Sequence, residues 1–445
     1  MQTNDFSTGS VRKRIIAQAV PLTLAQLVHL LYNIVDRIYI GHLPEVGSMA
    51  LTGLGITFPV IVLISAFTSL FGQGGTPLFS IARGRRDEQE AEAIIGNVFA
   101  LLTGSAVVLF ILCYVLRRPL LFLFGASEAS YFYADQYLQI YLLGTLFSML
   151  TTGLNGFINA QGFPKFGMLT TILGAVMNIL LDPLFIFVFD MGVRGAALAT
   201  VISQAVSALW VMKFLTGKKA ILRLKRQYIR IDAARTRRIV SLGTSGFVMG
   251  GTNCLVQIVC NNQLQAFGGD LYVGIMTVLN SVREILSLPV GGLSNGAQPV
   301  MGFNYGANRN DRVKECVRFT AVLGFLYTLV AWVLVMLLPR QLMSVFASDA
   351  ATIDHGMEAM FIYFFGFVFM SFQFVGQTTF LALGKSRQAI FFSLLRKAFI
   401  VVPLTLLLPG MGLGVNGVFL AEPISNALGG LASFITMWLT VYRRL

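Results

Sequence analysis

Asp36 and Asp182 each interrupt a run of otherwise apolar residues, LVHLLYNIVDRIYI and NILLDPLFIF. By insertion scales an acid in hydrocarbon costs on the order of 2.5–3.5 kcal/mol, so each is a candidate functional group. Asn178 lies four residues before Asp182, hence on the same helical face. A helix rises about 1.5 Å per residue. A span entering from inside near residue 167 carries Asp182 roughly 22 Å up, and one entering near 15 carries Asp36 roughly 30 Å up. A span starting outside near 195 holds Thr200 roughly 8 Å below the outer surface. Carboxylate, amide and hydroxyl oxygens therefore fall at overlapping depths. Hard cations prefer such ligands, and two close carboxylates raise the proton affinity of one. Either a proton or a sodium ion suits the set; no other metal or cofactor is suggested.

The face of Asp36 also carries His29, Tyr32 and Asn33. His29 reads as a hydrogen-bonded core histidine, with assistance to protons as the alternative. Pro183 cannot donate to the Ile179 carbonyl, which leaves that oxygen freer. Arg37 does not face Asp36 on a helix and is expected to snorkel to the outer surface. The competing structural reading is a polar cluster that steadies a proline kink. The second half carries different charges: Arg283-Glu284, Arg396-Lys397 and Glu422-Pro423. They form internal ion pairs or shape a cavity. The spacings Gly246-x-x-x-Gly250 and Gly292-x-x-x-Gly296 predict close helix packing.

Long helices must position these groups. The chain has 445 residues, 56% hydrophobic and 12% charged, with mean hydropathy +0.74. Soluble domains carry about twice that share of charge. About twelve apolar stretches long enough to cross a bilayer are expected, near 15–40, 51–76, 94–116, 131–160, 167–189, 195–216, 239–267, 272–300, 316–338, 356–383, 389–409 and 416–441. No period-two alternation points to a barrel. The start, Met1 to Ser10 and then Arg12-Lys13-Arg14, does not read as a cleavable signal. The four cysteines form no spaced framework, and no GxxxxGK[ST] loop occurs, so an enzymatic role such as ATP hydrolysis is not expected.

Loop charge sets direction. Alternate loops hold Arg83-Gly84-Arg85-Arg86, Lys165, the stretch 217–238 with nine Lys or Arg, Arg309 with Arg312 and Lys314, and Lys385 with Arg387. The opposite loops hold only Arg117, Arg118, Arg194 and Arg340. Both termini are therefore expected in the cytoplasm. The net charge of +13 reads as topology and contact with anionic lipid, not nucleic-acid binding. Segment 217–238 reads as a linker with surface contact, ahead of a lipid-surface helix.

The halves repeat. GVRGAALATVISQA at 192–205 and GVNGVFLAEPISNA at 414–427 share eight of fourteen residues, where composition alone gives roughly one. The same 222-residue offset pairs Gly74 with Gly296, Pro77 with Pro299, Tyr141 with Tyr363, Gly144 with Gly366 and Gly162 with Gly384. Six spans per half make the repeat parallel, an arrangement of secondary transporters. The expected division is a cytoplasmic tail 1–14, an N-lobe 15–216, a basic linker 217–238, and a C-lobe 239–445 ending in Arg443-Arg444.

The chain resembles the multidrug and toxic compound extrusion (MATE) family along nearly its whole length. The matching pieces are Asn33-Ile-Val-Asp36 with Ile40-Gly41, Gly53-Leu-Gly55, Asn178-Ile-Leu-Leu-Asp182-Pro183, Gly192-Val-Arg-Gly195 through Thr200, Asn295-Gly296-Ala-Gln298-Pro299 and Asn304-Tyr305-Gly306-Ala307. The resemblance implies an all-α membrane protein of twelve helices in two six-helix lobes. It implies export of amphiphilic organic cations by antiport with protons or sodium, in the plasma (bacterial inner) membrane, with no cofactor. It places a cation site at Asp36, Asn178, Asp182 and Thr200, and puts Tyr137 and Asn155 in the surrounding polar network. One branch of the family uses acids in the seventh and tenth helices; here those offer Asn261, Asn262, Gln373 and Gln377, so coupling is expected in the N-lobe. Membrane lipids are the expected partners, nucleic acid is not, and a monomer is expected. Alternative readings are a lipid-linked-sugar flippase of the same superfamily and a metabolite exporter.

Overall fold

The computed structural model describes residues 5–41, 43, 47–346 and 349–445; the side chain of Arg37 lies outside the described part. The described chain is helical, and no strand occurs among these residues. An apolar solvent leaves the backbone no partner but itself, which favours helices for apolar runs of this length. Polar ends are capped: Asp87 accepts from the Glu90 N–H ahead of Glu88–Val115, and Ser127 from the Ser130 N–H ahead of Glu128–Leu143.

Among the described residues eight helical stretches are long and apolar enough to cross a bilayer, or up to ten when two bent pairs each count as one. Two of these stretches are far longer than a bilayer needs, Ala233–Gly306 and Ser386–Arg444. Gly269, at φ 71°, breaks the first, and residues on both sides of it line one cavity, so the chain reverses there. Gly412 and Gly414, at φ 94° and 51°, break the second. Dividing both is consistent with the twelve spans expected from the sequence.

The repeat extends to backbone irregularities. Positive φ recurs at the 222-residue offset: Arg86 and Asn308 (61° and 55°), Gly162 and Gly384 (87° and 73°), Gly192 and Gly414 (54° and 51°). Both bent spans break at paired positions too. Ser130–Leu143 and Thr145–Ala160 meet at 57°, and Ala350–Phe364 and Phe367–Ala382 at 44°. A Cβ on Gly144 would come within 2.9 Å of Val201, and one on Gly366 within 2.5 Å of the Pro423 carbonyl. Val201 and Pro423 are themselves a repeat pair, each following Thr200 or Glu422. Glycine is needed at each bend because another helix presses on it.

The chain divides into two compact units, one holding Leu24–Gly243 with the first few residues, the other Phe6–Thr23 and Thr244–Leu445. The first unit thus takes in 217–238 and the start of Ala233–Gly306. There a Cβ on Gly74 would strike the Ile239 carbonyl, and one on Gly243 the Leu70 carbonyl. The second unit takes in the start of Val11–Gly41, where a Cβ on Gly292 would strike Thr23 and one on Gly296 would come within 2.6 Å of the Ala19 nitrogen. The close packing expected at Gly292 and Gly296 is present. That expected at Gly250 is not: nothing lies within 4 Å of a Cβ there.

Segment 217–238 is held on the first unit. Gln161 Oε1 accepts from the Ile221 and Leu222 N–H groups at 2.8 and 2.9 Å. Lys225 pairs with Glu92 at 2.6 Å, and that carboxylate raises the Lys225 ammonium above its usual pKa. Arg235 pairs with Glu90 at 2.8 Å. The segment is therefore a fitted strap with most of its basic side chains outward.

Gly243→Val should lower the melting temperature of the detergent-purified protein, because overpacking costs roughly 1–3 kcal/mol. Gly250→Ala should leave it equal or higher, as alanine is the better helix former. Thermal profiles by size-exclusion chromatography check both.

Candidate cation site and its counterpart in the second half

In the first unit the helix Pro164–Pro183 is followed by a wide π-helical turn, Leu184–Val188. Proline lacks the donor that would continue the regular ladder. Asp182 immediately precedes this proline, and it is 0% exposed, with Asn178 at 1% and Thr200 at 8%. Asn178 Nδ2 donates to Asp182 Oδ1 at 3.2 Å and approaches Thr200 Oγ1 at 3.4 Å. The Thr200 hydroxyl donates to the Ala196 carbonyl at 3.0 Å, which leaves its lone pairs facing the cluster. The Asp36 carboxyl is near enough for its charge to oppose ionisation of Asp182. Two acids brought together in this way favour a bound proton or cation. Asp182 Oδ2 and Asn178 Oδ1 are buried and accept no hydrogen bond from the described residues. The donor set is all oxygen, which fits a proton or a sodium ion.

Three tyrosines close the cluster. Tyr137 lies near Thr200 and Asp36, Tyr32 near Asp36, Asp182 and Tyr141, and Tyr141 near Gln204 and Ser148. Tyr137 and Tyr141 stack at 5.8 Å between ring centroids. Tyr141 and Gln204 were not singled out from the sequence as site residues. Their signal was the repeat, which pairs them with Tyr363 and Asn426.

Other expected members stand apart. His29 is exposed on its helix and packs edge-on against Tyr32 at 5.0 Å, so it is no buried core histidine. Burial was inferred from its neighbours in sequence, but its face of the helix is open. Asn33 spends its amide on the His29 carbonyl of its own helix at 2.9 Å. Asn155 donates to the Gly167 carbonyl at 3.2 Å. That point lies roughly 16 Å along the helix from Asn178, outside the cluster.

The second unit builds its charged cluster mostly at other repeat positions: at the 222-residue offset Asp36 and Asp182 are matched by Ile258 and Leu404. Glu422, at the position of Thr200, accepts from Lys397 Nζ at 3.1 and 3.2 Å and from Arg283 Nη1 at 3.3 Å. Arg396 lies 3.6 Å from it and donates to Asn426 Oδ1 at 2.6 Å. Tyr363 donates to Asn280 Oδ1 at 3.1 Å. A cavity of about 160 Å³ opens beside these groups, lined by Arg283, Lys397, Glu422, Tyr363 and several amides. Glu284 is not part of it. It is exposed, because residues adjacent on a helix point in different directions. Gln377 of the tenth span donates to Ser245 and Ser393 hydroxyls at 2.7 and 2.9 Å, a neutral polar knot.

Comparison with known proteins adds the family. The MatE family model matches residues 21–184 and 249–407. The multidrug export protein MepA of Staphylococcus saprophyticus is 23% identical over 436 residues, covering 98% of this chain and 95% of that protein. MepA of Staphylococcus haemolyticus is 26% identical over 350 residues, 77% and 75% of the two chains. The crystal structure of MATE in the bent conformation superposes with TM-score 0.93 at 21% identity, covering 100% of this chain and 99% of that one. An outward-facing multidrug resistance MATE family transporter gives 0.92 at 21%, with the same coverage. The chain belongs to the MatE family, the multidrug and toxic compound extrusion transporters, and is a multi-pass membrane protein of that fold.

Proposed function

We propose that this protein is a secondary active exporter of amphiphilic, mostly cationic organic compounds, driven by antiport with protons or sodium through alternating access of its two halves. The single observation that carries the reading is Asp182, fully buried and facing a second carboxyl. Bringing two carboxyls together among apolar helices favours uptake of a proton or a cation. Binding of the ion neutralises the pair, and its release restores the repulsion. The π-helical turn after Pro183 is the element placed to respond, since wide turns of this kind interrupt helices at functional sites. The name multidrug export protein carried by the relatives supports the cargo class. The protein sits in the bacterial inner membrane with both termini in the cytoplasm.

The second half supports another reading. Arg283, Arg396 and Lys397 suit a phosphate-bearing cargo, as in a lipid-linked-sugar flippase of the same superfamily. Purified protein that ignores both ion gradients yet scrambles such a lipid in vesicles would decide for it.

In proteoliposomes, efflux of a fluorescent organic cation should follow an imposed proton gradient or an imposed sodium gradient, and the one it follows names the coupling ion. Asp182→Asn should abolish that driven efflux while the protein still elutes as a folded species. Wild-type rates in this variant would sink the coupling role. Thr200→Val keeps the shape and removes one oxygen; it should raise the half-saturating ion concentration about tenfold, roughly 1.4 kcal/mol of lost binding. Single cysteines placed in 217–238 should react with an impermeant maleimide only from the cytoplasmic side, and labelling from outside would invert the topology.

A further inference from the structure

We infer that the cavity in the second unit binds a small organic anion, of the carboxylate class, through Arg283 and Lys397. Three cationic side chains, Arg283, Arg396 and Lys397, converge on a single carboxylate, Glu422. Among the described residues no other acid lines the cavity. Such a group carries a net positive charge in a place where water is scarce, and a cationic cargo would be repelled from it.

The division of labour among the three cations identifies where the excess lies. Lys397 is spent on both oxygens of Glu422. Arg396 is spent on Asn426 and does not line the cavity. Arg283 does line it, gives one guanidinium nitrogen to Glu422, and leaves 30% of its side chain exposed. A guanidinium with donors to spare is suited to a carboxylate, which takes two parallel hydrogen bonds from its fork. The rest of the lining is neutral: the amides of Asn253, Gln257, Asn261 and Asn280 can donate to an anion, while Met276 and Val418 face an apolar remainder. The volume of about 160 Å³ holds several water molecules, the scale of a small acid and not of a whole drug. Glu422 fixes the cations and tempers the affinity; it lowers the charge of the site without reversing it.

This site does not depend on the coupling role of Asp182, and its test uses no ion gradient. The experiment is equilibrium binding of radiolabelled benzoate to the full-length protein in nanodiscs, with benzamide as the neutral probe of the same shape. The expected result is saturable benzoate binding that acetate displaces and benzamide does not. Arg283→Gln should weaken benzoate at least tenfold, whereas Glu422→Gln, which removes the only negative charge, should tighten it several-fold. A cation site, or a purely structural ion pair, predicts the reverse or no gain for Glu422→Gln. Absence of saturable benzoate binding, equal displacement by benzamide, or weaker binding in Glu422→Gln overturns the proposal. Should either variant fail to fold, the two probes on the wild-type protein decide it alone.

Discussion

A charge held among apolar helices has no water to turn to, so every ionised group must find its counterpart in the protein or in something the protein binds. The two halves answer this demand differently. In the first, Asp182 lies beside a second carboxyl, Asp36, and accepts a hydrogen bond from the neutral amide of Asn178. In the second, Glu422 meets three cations, which leaves that cluster with positive charge in surplus. Loss of Glu422 would leave three cations without their shared carboxylate.

The scaffold beneath them is one design used twice. Thr200 and Glu422, Gln204 and Asn426, and Tyr141 and Tyr363 occupy matching positions at the 222-residue offset. The bends at Gly144 and Gly366 press on the residues directly after Thr200 and Glu422. Each bend therefore packs against the helix that carries the cluster, so that a bent span and a functional side chain share one contact. Duplication supplied the geometry; substitution at a handful of positions changed what each copy can hold.

Much of this was legible in the sequence because it depends on local spacing. Asn178 and Asp182 share a face at i, i+4, and depth along a helix follows from its rise, so their meeting with Thr200 needed no structure. The spans followed from hydropathy, and the repeat from a constant offset. What escaped depends on rotation and on partners from distant helices. His29 was placed in the core although its face is open. Glu284 was grouped with Arg283, yet neighbouring residues diverge. Lys397 and Glu422 are 25 residues apart, and no spacing rule connects them. Gly250 has the small-residue pattern but no neighbour, while Gly243, one position outside any such pattern, is where the backbones touch.

Irregular helix is what lets adjacent residues act together in the second cluster. Arg396 and Lys397 are neighbours in sequence, and on a regular α-helix they would point about 100° apart. Both nonetheless reach Glu422, at 3.6 and 3.1 Å. They lie in the π-helical turn Leu395–Val401, where more residues per turn narrow the angle between successive side chains. The first cluster differs: Asn178 and Asp182 share a face of the regular helix Pro164–Pro183, and the wide turn Leu184–Val188 begins only after Pro183. In the second half a regular helix would aim Arg396 and Lys397 apart, and the departure from regularity that weakens the local hydrogen-bond ladder is what brings both to Glu422. In both halves the irregular stretch lies in or next to the segment that carries the charge.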